Sequence, residues 1–313
     1  MALKQVIETY EFLDTSEIRE TDVVSFLNRW GVKQKEIKFR KIKGEKGYTL
    51  FIKIHIPGNK EKSIGNSSRT LGIVGRLGGI GARPAQTGLV SDADGAITAL
   101  AAAAKIAVMR EKGDCLQGDI IISTHLCPKA PVMPHDPVPF MGSPVSIAVM
   151  NKHEVDSRMD AILSVDATKG NRIINHRGFA LSPTVKDGYI LKVSDSLLDI
   201  MQSVTGRLPV VFPITLQDIT PYENGVFHLN SIMQPCTATK APLVGVAITS
   251  EVPVPGCATG ANNLMDLESA VRFVLEVAKA IGKGKCEFYD KKEFQKLLTL
   301  YGSLEHLKTP GRN

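Results

Sequence analysis

The stretch SDADGAITALAAAAKIAVMREKGDCLQGDIIISTHLCP, residues 91–128, decides the fold class. From Ala93 to about Glu111 it runs through alanine, isoleucine and leucine without a proline, and it ends at Gly113, a residue suited to the left-handed turn that closes a helix. The run Asp119-Ile-Ile-Ile-Ser-Thr that follows is short, apolar and β-branched, the form of a strand buried on both faces. A helix joined to a buried strand is the repeating unit of an open, largely parallel sheet covered by helices on both sides.

The alternation continues in both directions. Upstream, LGIV (71–74) reads as a strand; downstream come the strand MDAILSVD (159–166), a pair of strands around RIINHRG (172–178) and GYILKVS (188–194), and a helix near Asp195 to Val204. The strands LPVVFPI (208–214) and PLVGVAI (242–248) follow, then a loop from Thr249 to Asn262 and the helix DLESAVRFVLEVAKAIG (266–282), closed by Gly282. At the N-terminus, Val6, Tyr10 and Leu13, then Val23, Val24, Phe26, Leu27 and Trp30, have helical spacing and predict two short helices ending at Gly31. A hairpin comes next. Its second strand puts Tyr48, Leu50, Ile52, Ile54 and Ile56 on one face and stops at Pro57-Gly58. The expectation is one α/β domain over residues 1–313: a three-layer α/β/α sandwich with a mixed, largely parallel sheet between Leu71 and Gly282. Residues 1–65 would pack on that core, and 283–313 would form a C-terminal helix and tail.

Composition excludes several classes. Hydrophobic residues make up 43% and charged residues 22% of the chain, values of a globular protein rather than a disordered or membrane one. Glu8 and Glu11 interrupt the apolar stretch a secretory peptide would need, and no run of about eighteen apolar residues follows, so neither export nor membrane spanning is expected. Cys115, Cys127, Cys236, Cys257 and Cys286 are scattered, odd in number and without a C-x-x-C pair, which points to reduced thiols and a cytoplasmic location. The net charge of +6 is densest in KQKEIKFRKIKGEKG (33–47). There the lysines alternate with Ile37, Phe39 and Ile42 and read as the wet face of an edge strand, not as a nucleic-acid site. The glycines of GRLGGIGARP (75–84) break the dinucleotide spacing at Pro84 and precede no Gly-Lys-Ser/Thr, so no nucleotide cofactor is expected. Neither a G-x-S-x-G elbow nor an H-E-x-x-H helix is present.

In such sheets functional groups gather on the loops after buried strands. Asp92 and Asp94 open the alanine-rich helix, where one of them caps it or the pair serves a hard cation. His125 leads into a loop stiffened by six prolines (Pro128, Pro131, Pro134, Pro137, Pro139 and Pro144) that also carries His135 and Asp136, a reasonable way to preorganise a site. Asp166 ends a buried strand and must reach solvent or a partner, with Lys169 and Arg172 at hand. Cys257 is either a small buried thiol or a nucleophile.

Through STHLCPKAPVMPHDPVPFMGSP (123–144), VDATKGNRIINHRGFALSPTV (165–185) and PVPGCATGANN (253–263), the chain resembles a bacterial family known as domain of unknown function 1177. More distantly, the D-x-x-G helix start at Asp92 to Gly95, the V-D-A-T after a strand and the ending APLVGVAITSEVPVPGCATGANNLMDLESAV (241–271) resemble the zinc-dependent exopeptidases. That resemblance implies a phosphorylase/hydrolase-like sandwich, with Asp92 at the position of a metal-bridging Asp and Asp166 at that of a second Asp. The Glu pair of those enzymes falls on Thr124 and His125; their first His falls near Gly75 to Leu77 and their last near Gly256. The implied reading is a mononuclear hydrolase of a small amide or peptide-like compound, with one divalent metal, zinc or manganese, on Asp92, His125 and Asp166. His135 or Asp136 would serve as base, with Cys257 close by. The alternative is a non-catalytic member of the fold that binds a small metabolite or partner protein; a homo-oligomer is expected in either case.

Overall fold

The apolar runs become strands of one sheet. The computed structural model describes residues 1–313 apart from 46, 60–68, 84–85, 134–139, 170, 252–261 and 312–313. Helices α1 (Leu3–Leu13) and α2 (Glu20–Arg29) lead into the hairpin β1 (Ile37–Gly44) and β2 (Gly47–Ile56). Then come β3 (Leu71–Gly75), the short β4 (Gly81–Arg83) and β5 (Gln86–Thr87), α3 (Asp94–Glu111) and β6 (Ile120–Leu126). Strands β7 (Ala130–Met133) and β8 (Phe140–Met141) join β4 and β5 in a small second sheet. The remainder is α4 (Ile147–Glu154), β9 (Ala161–Ala167), β10 (Gly178–Leu181), β11 (Thr184–Lys186), β12 (Tyr189–Leu191), α5 (Asp195–Thr205), β13 (Leu243–Thr249), α6 (Leu264–Gly282) and α7 (Lys291–Tyr301).

Among the described residues the main sheet has nine strands, ordered β1-β2-β6-β3-β9-β13-β11-β12, with β10 also paired to β13. Its centre, β6, β3, β9 and β13, is parallel, and the other pairings are antiparallel. As the alternation of lysines in residues 33–47 implies, β1 is an edge strand whose Lys38, Arg40, Lys41 and Lys43 are exposed.

The two faces of the sheet are covered differently. Ile73, Ile122, Leu163 and Val246 face α1, α3 and α6 in a continuous apolar core. Helix α3 is buried almost all round, which suits its alanines, since small side chains let its backbone approach the sheet. A Cβ on Gly75 would lie 2.2 Å from the carbonyl of Gly95, and one on Gly95 would lie 2.1 Å from that of Arg76, so both positions require glycine where α3 begins. On the other face, Val74, Ile121, Ile162 and Ala247 meet Phe212, Ile219, Ile232 and Met233. Ile219, Ile232 and Met233 come from the 3-10 segments Leu216–Ile219 and Ser231–Ala238, and α4 packs beside the latter. Helices or helical turns on both faces make an α/β/α sandwich, as expected from the alternation.

Two expected strands do not form. LPVVFPI contributes only an isolated bridge from Val211 to Leu181, because Pro209 and Pro213 have no N–H to extend a ladder. RIINHRG stays irregular up to Gly178, where β10 starts. Here the Asn171 side chain accepts the backbone N–H groups of Ile173 (2.8 Å) and Ile174 (2.6 Å), a local turn that competes with strand pairing. No helix among the described residues is long and apolar enough to cross a membrane, and Cys115, Cys127, Cys236 and Cys286 are free thiols.

Candidate functional site

In-register parallel strands bring residues of equal height onto one face. Gly75 pairs with Thr124 on one side and Val165 on the other, so Arg76, immediately after β3, stands between His125 and Asp166; Ala247 continues the row. The row lies at the carboxyl ends of the parallel strands. Leu77, with φ of 61°, takes a left-handed backbone that few non-glycine residues adopt and turns the chain away at once after Arg76.

The His125 half of the row is internally paired. Helix α4 presents Asn151 and Glu154 to it, one turn apart and both buried. Arg76, wholly buried, donates through Nη1 to Asn151 Oδ1 (2.9 Å) and Glu154 Oε2 (3.0 Å). The other Glu154 oxygen accepts from His125 Nδ1 at 2.5 Å. Burial alone would raise the Glu154 carboxyl, but the positive charges of Arg76 and His125 hold it below its usual range. Thr124 donates its hydroxyl to the Gly75 carbonyl (2.8 Å) and is fully buried. Thr124 and His125 are therefore both committed to partners within the fold.

The Asp166 half is not neutralised. Asp166 accepts its own neighbour's N–H from Ala167 (2.8 Å) and the Ser231 hydroxyl (2.9 Å), not Lys169 or Arg172. Burial pushes it up to about 8, against the pull of Arg76 and with the negative charge of Asp92 adding to the rise. Asp92, on the 3-10 turn Ser91–Ala93, is pushed up to about 7 by burial and by Asp94, against the pull of Lys169. Neither Asp92 nor Asp94 caps α3 through its side chain. Asp94 instead meets Lys169 Nζ at 2.5 Å and accepts from Asn262 Nδ2 at 2.6 Å. The lysine named as a partner for Asp166 thus serves the neighbouring acid.

Of the residues singled out from sequence, Asp92 and Asp166 lie within each other's electrostatic reach. His125 does not join them. Two strand steps of about 4.8 Å separate β6 from β9, and Arg76 of β3 stands in the gap with Glu154 clamped to it. Among the described residues no three His, Cys, Asp or Glu side chains are gathered to hold a metal ion, and His125 is bonded to Glu154. His135, Asp136 and Cys257 lie outside the described residues. The adjacent Cys127 is pushed up to about 12 by burial and is held against the Thr49 hydroxyl at 3.4 Å, an unreactive thiol. Arg76, Asn151 and Glu154 were missed. The signal for Arg76 was present in LGIVGR: a charge just past a buried strand must find a partner, the same reasoning that singled out Asp166.

The family model described as "Protein of unknown function (DUF1177)" matches residues 40–311. No curated protein matches the chain. Among solved structures, a leucine aminopeptidase of Caenorhabditis elegans is similar with a TM-score of 0.51 at 11% identity, over 90% of this chain and 66% of that one. A glutaminyl cyclase of an Acidobacteriales bacterium is similar with a TM-score of 0.46 at 10% identity, over 90% of this chain and 94% of that one. At these identities the aminopeptidase likeness speaks for the fold, a zinc-exopeptidase-like sandwich, and not for a reaction.

Proposed function

The chain belongs to the DUF1177 family, and from the geometry of its Asp92–Asp166 pair we propose a hydrolase of small amide or peptide-like compounds that holds one divalent cation on that pair. The observation that carries this reading is the pair itself. Asp166, near the carboxyl end of β9, feels the charge of Asp92 on the turn before α3, and no cationic side chain is bonded to either among the described residues. Such hard oxygen donors suit manganese better than zinc, and a cation would offset the burial that raises both groups.

A cation so held supplies Lewis-acid polarisation of the amide carbonyl and acidifies water. The chain's own residues do the rest. Asp94, neutralised by Lys169 and Asn262, fixes the start of α3 and with it Asp92, while Ser231 and the Ala167 N–H orient Asp166. Water adds to the carbonyl carbon, the C–N bond breaks and the departing nitrogen takes a proton. Because Thr124 and His125 are spent on Gly75 and Glu154, neither of them serves as the general base of an ordinary aminopeptidase, a role worth about 10²- to 10⁴-fold in rate. Turnover of every class of amide is accordingly expected to be slow.

The test is a substrate panel of dipeptides, N-acyl amino acids and amino-acid anilides, assayed with zinc or manganese on the wild type and on Asp92→Asn and Asp166→Asn. Turnover of the first two classes, lost in both variants, is expected. No turnover of any class, or turnover that survives both substitutions, overturns the reading. The commitment of Thr124 and His125 to partners within the fold also favours a second reading, a non-catalytic protein that binds a small molecule at the same pair; specific binding without turnover would favour it.

A further inference from the structure

Arg76 has more donors than its structural partners use. Its Nη1 serves Asn151 and Glu154, whereas Nε and Nη2, both buried, meet no acceptor among the described residues. These two nitrogens form the side edge of the guanidinium, which matches the two oxygens of a carboxylate. Elsewhere in this chain the same edge does that. Arg19 grips Asp22 through Nε and Nη2, both at 3.1 Å, and Arg158 grips Asp156 through the same two atoms at 2.9 and 3.0 Å.

Those two pairs are exposed, and water would replace the acid if it left. At Arg76 bulk water is excluded, so each unmade hydrogen bond costs about 1–3 kcal/mol. The nearest acid in the row does not fill the edge, since the Asp166 oxygens accept from Ala167 and Ser231. Neutralising Glu154 needs a point charge, which lysine would supply; a fork with an unpartnered buried edge is chemistry beyond that need.

We propose that Nε and Nη2 of Arg76 hold the carboxylate of the ligand, so that the compound taken up beside Asp166 is a small carboxylate, an N-acyl amino acid or a short peptide engaged through its C-terminus. This inference rests on the reading of Asp92 and Asp166 as the working pair, and it deepens that reading by naming what the substrate carries.

The experiment measures binding, not turnover. The purified wild-type protein is titrated calorimetrically with N-acetylglycine and, separately, with N-acetylglycinamide, which has the same shape without the carboxylate. The acid is expected to bind at least about tenfold more tightly. In Arg76→Lys, which keeps a charge for Glu154 and removes the fork, that preference is expected to fall below about twofold. Equal binding of acid and amide, no binding of either, or a preference that survives in Arg76→Lys overturns the inference. Should Arg76→Lys not fold, the wild-type comparison alone decides. Preference for the acid without hydrolysis or cation binding would leave this inference standing and remove the hydrolase; hydrolysis without that preference would do the reverse.

Discussion

Two clusters of charged side chains lie side by side near the carboxyl ends of the parallel strands, and they are built in opposite ways. On the β6 side, His125, Glu154, Arg76 and Asn151 are joined by three hydrogen bonds of 2.5–3.0 Å that leave the glutamate fully neutralised. On the β9 side, Asp92 and Asp166 have no ion-pair partner among the described residues and are pushed up by burial to about 7 and about 8. Both clusters are set in place by the same strand register. Burial by itself therefore does not mark a functional group in this molecule; the absence of a fixed counter-charge does. Arg76 stands at the boundary, with one nitrogen committed to the first cluster and one edge open.

The contrast breaks most visibly at Glu154. Glu154→Gln would leave Arg76 and His125 buried with their charge partner removed, and it is expected to cost about 3–5 kcal/mol of stability, read from urea unfolding. A cost below about 1 kcal/mol, the range of a surface pair, would mean that this cluster is no more structural than the acid pair.

An effect of opposite origin is expected from pH. Asp92 and Asp166, raised from the ordinary 3.8 to about 7 and about 8, bind protons more tightly in the folded chain than in the unfolded one. Their contribution is therefore present at low pH and is lost as pH rises towards those folded values. Cation-free protein should lose stability between pH 5 and pH 8 by on the order of 1.4 kcal/mol per pH unit for each such carboxyl. Denaturation midpoints across that range, with and without manganese, test this. A stability that rises over the window without metal would show the acids to be neutralised by something else.

Much of the fold was legible in local pattern. Continuous apolar runs such as LGIV and IIIST read as strands and are strands, and the alanine run after Asp94 reads as a helix and is one. LPVVFPI misled because its apolar residues suit a strand while Pro209 and Pro213 deny it hydrogen bonds. The acid pair was legible because both aspartates follow or precede elements whose ends converge. The paired cluster was not: Arg76 meets Asn151 and Glu154 across 75 and 78 residues, a coincidence of register that no local spacing announces. His125 was read as a ligand for the same reason, since its partner Glu154 sits in a short helix with nothing in its sequence to tie it to β6.

The claim that the uncompensated pair is a cation site is tested most directly by calorimetric titration of the purified protein with manganese or zinc at pH 7, in two buffers of different ionisation enthalpy. The account predicts one cation per chain, with release of between about one and two protons because both carboxyls give up protons to the metal. Binding and proton release should both vanish in Asp92→Asn and in Asp166→Asn, while the two variants remain folded. No cation uptake by the wild type, or uptake without proton release that is unchanged by either substitution, would contradict it.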